Sequence, residues 1–244
     1  IVVLAVPPRS QLDLLQRCLN LPNISGFVLE KPLAIDPFLS EKLLEELKAR
    51  NVAYVVAYTL IPLRWQSALR WPKICEPVSI SWDFMAHHFS EDLNNWKRRH
   101  SMGGGILRFY GVHVLAMLAS RGYTQVRTIS LEGEKPDEPE SWQAIFKGSR
   151  LPECQLNMDC RSNKTRFKIV VAGGSNLLSI TEPFSEEVLE FHGDRRITAL
   201  TKIITGLETN DGELCDHQFH EQINKLWSQA EAGISDIRGV FSSG

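Results

Sequence analysis

Two short stretches hold the residues whose types and spacing could do chemistry. The first is Glu30-Lys31-Pro32, which directly follows a run of apolar residues. A lysine at the C-terminal end of a buried strand stands on the edge where open α/β sheets bind ligands. It can donate to a hydroxyl, orient a ribose, or lower its pKa and move a proton. Pro32 would fix the turn behind it. The second stretch is Gly103-Gly104-Gly105-Ile106-Leu107-Arg108-Phe109-Tyr110-Gly111-Val112-His113. Three glycines before an apolar helix let backbone amides approach a ligand at the positive end of the helix dipole. His113 would lie about two turns along that helix, and it would face the same cleft if the helix entrance faces Lys31. Taken singly, each stretch has a plainer account: a solvated lysine capping a turn, and a hydrogen-bonded core histidine.

The elements that must position these residues can be read from hydrophobic patterning. Ile1–Val6 is a continuous aliphatic run ended by Pro7-Pro8, as a buried parallel strand would be. Leu12, Leu15 and Leu19 mark a helix over Ser10–Asn20, with Ser10 as its cap. Gly26–Glu30 and Asn51–Tyr58 read as further strands, and Pro37–Arg50 as an amphipathic helix with Leu39, Leu43, Leu44 and Leu47 inside. Strand, helix, strand, helix, strand is the pattern of parallel βαβ units.

After Thr59 the texture changes. Pro77–Ala86 alternates as a strand, and Gly105–Ser120 is the apolar helix. Short strands follow at Gln125–Leu131, Trp142–Phe146, Gln155–Cys160, Arg166–Val171, Asn176–Thr181 and Glu187–His192, separated by turn residues as in an antiparallel meander. Glu213–Gly233 closes the chain as a helix whose buried stripe is Phe219, Ile223, Leu226, Trp227 and Ala230. The class is α/β followed by α+β.

Composition removes several functions. The 244 residues are 43% apolar and 23% charged, as in an ordinary globular protein. Lys plus Arg at 27 against Asp plus Glu at 29 leaves a net charge of −2, without the basic excess of a nucleic-acid binder. The longest apolar runs, Ile1–Pro8 and Val52–Tyr58, fall far short of the roughly 18 residues of a membrane span. Cys18, Cys75, Cys154, Cys160 and Cys215 are odd in number and irregularly spaced, so reduced thiols in a cytoplasmic protein are expected. The opening IVVLAVPP has no charged region before it and no cleavage site, unlike a secretory signal.

Together, in this order, the E-K-P and the glycine-to-histidine stretch resemble the glucose–fructose oxidoreductase / inositol dehydrogenase / rhizopine-catabolism family of NAD(P)-dependent oxidoreductases. VVLAVPP, the Val52–Tyr58 strand and Trp96 are similar to further landmarks of that family, and the likeness runs along nearly the whole chain. The resemblance implies a Rossmann-like nucleotide-binding part over residues 1–60 and an α+β part over 61–244 for substrate and association. The second part would carry an open antiparallel sheet with helices on one face, and helix 213–233 would pack back on the first. It implies NAD or NADP as cofactor, lined by Pro7, Pro8, Glu30 and Lys31. Lys31 and His113 would be the catalytic residues that manage the proton, and the substrate would be a sugar-like small molecule. His87, His88, Trp96, Arg98 and Tyr110 would contact that substrate, and copies of the chain would associate through the sheet.

Two departures stand out. Phe109 occupies the place of the family's aspartate, and no G-x-G-x-x-G occurs anywhere. An apolar Ile1–Val6 strand at the edge of a three-stranded sheet also invites a covering partner. Both lead to the expectation that strands N-terminal to this sequence complete the fold; the alternative is a tolerated edge beneath a loop. A redox-inactive binding or assembly module is the competing function. His87-His88 lack a third metal ligand, and adjacent strand residues point to opposite faces. His217 and His220, with Glu221, could form a two-histidine site or simply begin a solvated helix. Arg98 or Arg99 in Trp96–His100 could grip a phosphate; a solvated loop is the alternative. A hydrolase would need paired carboxylates or a metal cluster that the sequence lacks.

Overall fold

The computed structural model describes residues 1–72, 76–173, 176–184, 196–209 and 213–241, the stretch 235–241 by backbone alone. Strands β1 (Val2–Leu4), β2 (Gly26–Leu29) and β3 (Ala53–Val56) form an all-parallel sheet in the order β1-β2-β3. Helices α1 (Pro8–Leu19) and α2 (Pro37–Ala49) connect them. Each starts with a proline in its first turn, where the missing N–H costs nothing. Asp36 caps α2, its Oδ1 accepting from Leu39 N at 2.8 Å. Ser10 is not a cap: α1 begins two residues earlier, at Pro8, so Ser10 lies inside its first turn.

Strands β2 and β3 are apolar on both faces because both faces are covered, whereas Val3 of the edge strand β1 is exposed. Phe27 and Leu29 join the core that holds Leu15 of α1 and Leu43 and Leu47 of α2. Val28 and Val55 point the other way, onto Ile203 and Leu207 of a helix over Ile197–Thr209. That covering helix was not read from the sequence. The strand expected at Glu187–His192 lies outside the described residues.

Past a short α3 (Arg64–Ala68), the larger sheet begins with β4 (Val78–Met85). A short α4 (His87–Ser90), a 3-10 turn (His100–Met102), a π-helical turn (Ile106–Gly111) and α5 (Val112–Ser120) follow. Strands β5 (Gln125–Glu132), β6 (Ser141–Lys147), β7 (Cys154–Asp159), β8 (Arg161–Val171) and β9 (Asn176–Ile180) complete the sheet in the order β5-β6-β7-β4-β8-β9. Neighbours are antiparallel except β4 and β7, which run parallel, because β4 enters the middle of the later meander. Alternation leaves one face apolar, with Ile80, Trp82, Trp142, Phe146, Leu156 and Phe167 buried.

The helix over Ile197–Thr209 is α6, and α7 (His217–Phe241) closes the chain. The expected stripe of Phe219, Ile223, Leu226, Trp227 and Ala230 is buried, and α7 packs on α2, α5 and β5. Gly233 permits this approach, since a Cβ there would stand 3.1 Å from the backbone nitrogen of Thr128 on β5. Trp142 Nε1 donates to Thr128 Oγ1 at 3.2 Å, and that hydroxyl donates to Ala230 O at 2.8 Å. Residues of both sheets therefore share one hydrophobic core, with Phe27, Trp82, Trp142 and Trp227 in a single cluster.

Candidate functional site

The Glu30-Lys31-Pro32 turn is held by a residue that sequence reasoning passed over. Gln11, fully buried on α1, donates through Nε2 to Glu30 O at 2.9 Å and Leu33 O at 2.7 Å. Its Oε1 accepts from Glu30 N at 3.1 Å. Backbone groups at a strand end have lost their ladder partners and need others; one amide side chain supplies them. The Lys31–Pro32 peptide is cis. Glu30 turns its carboxylate to Lys31 N, at 3.2 Å.

Lys31 does not cap its own turn. Its side chain crosses to the other half of the chain and donates through Nζ to Phe109 O at 2.6 Å. The same nitrogen sits 3.6 Å from the centre of the Phe109 ring and 5.8 Å from that of Tyr110. Burial lowers its pKa from 10.5 to about 7; Glu30 opposes the shift, while Arg196 and Lys97 add to it. The ring face favours the charged amine by about 0.5–2 kcal/mol, less than a paired carboxylate would in so dry a setting.

The glycine triplet serves the fold, not a ligand. The amides of Gly103, Gly104 and Gly105 donate to His100 O, Arg99 O and Lys97 O, and that of Ile106 to Pro139 O. A Cβ on Gly104 would lie 2.1 Å from Trp96 O, and one on Gly103 would lie 3.1 Å from Pro8 Cγ. The chain folds onto itself where an open anion cradle was expected.

Arg108, in the π-helical turn, is the anchor of this region. Its Nε donates to Glu231 Oε1 at 2.7 Å and its Nη1 to Ile35 O at 2.6 Å and His100 O at 2.9 Å. Glu231, on α7, also accepts from His100 Nε2 at 3.0 Å and Trp227 Nε1 at 3.0 Å. Burial alone would raise the Glu231 pKa, but the hydrogen bonds from His100 and Arg108 win and hold it at about 2. Thus α7, the 3-10 turn, the π-helical turn and the loop after Lys31 meet at one carboxylate. Arg108 and Glu231 were missed in the sequence. The available signal was a glutamate beside Ala230 and four residues after Trp227, on a stripe otherwise apolar.

His113 is the second residue of α5 and is buried, with Nδ1 lacking a partner among the described residues. Its ring meets Phe184 edge-on at 5.1 Å. Burial first, then the charges of Lys31 and Arg196, hold it well below its usual pKa, so it is neutral. Trp96 stands edge-on to Phe109 at 5.3 Å. His88 is buried and stacked on Tyr110 at 6.0 Å, its Nε2 without a partner among the described residues and its pKa lowered to about 4, mainly by burial. His87 and His88 lie on α4, not on a strand, and His87 is exposed.

The remaining candidates are placed elsewhere. Arg98 is engaged by Glu138 and Asp92, each at 3.0 Å, and covers the Phe89 ring; Trp96–His100 is not a solvated loop around it. Pro8 is buried, and Pro7 is exposed ahead of α1. His217 bonds Tyr54 Oη at 2.6 Å and Glu221 at 2.9 Å, whereas His220 is buried against Leu214 O. They stand near a cavity of about 510 Å³ at the start of β3, the end of the sheet opposite Lys31. Among the described residues no three His, Cys, Asp or Glu side chains could hold a metal, and no helix is long and apolar enough to cross a membrane.

No protein-family model matches the chain, and no curated protein matches it in sequence. Solved structures do. The WlbA dehydrogenase from Bordetella pertussis, in complex with NADH and UDP-GlcNAcA, aligns with a TM-score of 0.70 over 95% of this chain and 77% of its own, at 13% identity. The chain has a dehydrogenase fold. WlbA from Thermus thermophilus, with NAD and alpha-ketoglutarate, gives 0.66 over 92% and 69%, at 14% identity. An NAD binding oxidoreductase from Klebsiella pneumoniae gives 0.68 over 96% and 77%, at 11% identity. These neighbours are NAD-binding dehydrogenases of the kind the E-K-P resemblance named, and at such identities the likeness is one of fold.

Proposed function

We propose that this protein is an oxidoreductase that moves a hydride between a nicotinamide and a carbon bearing a hydroxyl, carbonyl or imine. One observation carries the reading: Lys31 leaves the C-terminal end of a parallel strand and meets Phe109, at 2.6 Å, on the segment that leads into His113. Ligands of open α/β sheets gather at that end. NAD or NADH accompanies the Bordetella and Thermus neighbours, and a nucleotide sugar accompanies the first, which supports a nicotinamide cofactor and a sugar-like substrate.

The residues suit the reactive end of such a cofactor. The buried Nδ1 of His113, without a partner among the described residues, and the amine of Lys31 offer hydrogen-bonding groups beside an apolar wall, while Pro7 and Pro8 follow β1 and Glu30 follows β2 at the same edge of the sheet. No residue here is assigned to the pyrophosphate, since the chain has no G-x-G-x-x-G. The bound nicotinamide would supply the hydride chemistry. Lys31, with a pKa near 7, takes the hydroxyl proton in one direction and returns it in the other. His113, held neutral, orients the substrate oxygen. His88, Trp96 and Tyr110 line the substrate's side. His87 and Arg98 contribute less to this reading, the first by exposure and the second through its ion pairs.

In the same reading residues 1–60 serve the nucleotide and 61–244 the substrate. Copies of the chain associate through the outer face of the large sheet, where Ile129 is 40% exposed. The cysteines Cys18, Cys154, Cys160 and Cys215, none in a disulfide, suit a reducing, cytoplasmic setting. A second reading, a redox-inactive binding module, is favoured by Phe109, which puts a ring and a carbonyl where a carboxylate could orient a sugar hydroxyl. Titration with NADH and NADPH, read by energy transfer from the tryptophans, separates the two. Saturable transfer that Lys31→Met weakens supports the oxidoreductase; no transfer with either nucleotide favours the module.

A further inference from the structure

We propose that Lys31 is a nucleophilic lysine that captures aldehydes and ketones as imines, an activity that does not depend on the nicotinamide reading. The geometry around Nζ carries the proposal. Among the described residues Nζ has one hydrogen-bond acceptor, Phe109 O at 2.6 Å, and lies over the Phe109 ring at 3.6 Å, with the Tyr110 ring farther off at 5.8 Å. An ammonium has three N–H bonds, of which the Phe109 carbonyl and ring meet two, leaving the third to the half-buried side. A neutral amine has two, and the carbonyl and the ring face accept both. Its lone pair is then left free of any donor, and Lys31 is half-buried, not sealed in the core.

The surrounding charges agree with a neutral amine. Glu30, the one carboxylate acting on Lys31, is turned to the Lys31 backbone amide. Lys97 Nζ lies 5.5 Å from the centre of the same Phe109 ring, and Arg196 adds a further positive charge. His113 and Tyr110, the titratable neighbours on α5 and the π-helical turn, are held neutral by burial. A desolvated lysine beside a second cation is the setting in which lysines become nucleophiles near neutrality.

The step balances without an added oxidant or reductant. The lone pair of Nζ attacks the carbonyl carbon, and the oxygen takes a proton from nitrogen to give the carbinolamine. The C–O bond then breaks, water departs with a second proton, and the C=N bond forms. If that imine holds a proton, its single N–H still reaches Phe109 O and its charge rests on the Phe109 ring. The cage thus fits both the start and the product.

The test uses the whole chain with two probes, pyridoxal 5′-phosphate reduced by borohydride and propanal reduced by cyanoborohydride. Peptide mass spectrometry reads the extent of modification at every lysine. At pH 7 Lys31 is expected to be modified at least ~10-fold faster than Lys48 or Lys164, which are exposed on the surface. That advantage should fall away below about pH 7. Phe109→Asp, which gives the amine a carboxylate partner, should abolish the advantage while leaving the other lysines unchanged. The proposal is overturned if native Lys31 reacts no faster than the exposed lysines with either aldehyde, provided the unfolded chain modifies it equally. Such a failure would leave nucleotide binding untouched, so it is distinguishable from failure of the oxidoreductase reading.

Discussion

Lys31 is half-buried, with no ion-pair partner among the described residues, and its desolvation has a thermodynamic signature. Its folded pKa is about 7 against 10.5 in the unfolded chain. Between those values the unfolded state binds a proton that the folded state lacks, so stability from this group rises with pH. The cost is fully present below pH 7 and gone above 10.5. Lys31→Met keeps the stem, removes the charge and loses the Phe109 bond, worth about 1 kcal/mol at every pH. Its melting temperature relative to wild type should therefore be most favourable near pH 6 and decline steadily toward pH 10. A difference that stays flat across that range would mean the amine is not desolvated. Both E-K-P and the approach to His113 were legible in the sequence because residue type and order carry them. The Phe109 cage was not, since a contact across 78 positions leaves no local pattern.

At the level of elements, the Arg108–Glu231 pair sets where Phe109 lies beneath Lys31. Arg108 is bonded both to Glu231 on α7 and to Ile35 O just past the lysine, so the π-helical turn cannot shift without breaking a buried charge pair. Removing one partner of such a pair typically costs about 3–5 kcal/mol, because the other is stranded. Glu231→Gln should destabilise the protein by about that amount at neutral pH. Glu231 titrates near 2 in the folded chain and 4.5 in the unfolded one, so its contribution is whole above 4.5 and lost as pH falls toward 2. Chemical denaturation at pH 7 and pH 3 should show the difference shrinking; an equal deficit at both would exclude the charge as its source. The elements themselves were mostly readable from periodicity, as the buried stripe of α7 illustrates. Helix α6 escaped because its Ile- and Thr-rich sequence has poor helix propensity, and packing on Val28 and Val55 decides it. The glycine triplet was misread because glycine permits close approach without saying of what.

At the scale of the molecule, chemistry depends on two sheets being joined at one place. The parallel sheet brings Lys31 to its C-terminal edge, and the mixed sheet carries Phe109, Tyr110 and His113 on the connection between β4 and β5. One hydrophobic core fixes the two relative to each other. The mixed order, with β4 between β7 and β8, could not be read from strand spacing, since alternation reports burial but not neighbours. The proposed function requires a nicotinamide to bind at this junction. Backbone hydrogen exchange, followed by mass spectrometry with and without saturating NADH, tests it most directly. Exchange should slow in residues 26–33 and 106–114 together, with residues 47–54 and 215–218 at the opposite end of the parallel sheet unchanged. Protection confined to that opposite end, or none in either junction segment, would contradict it.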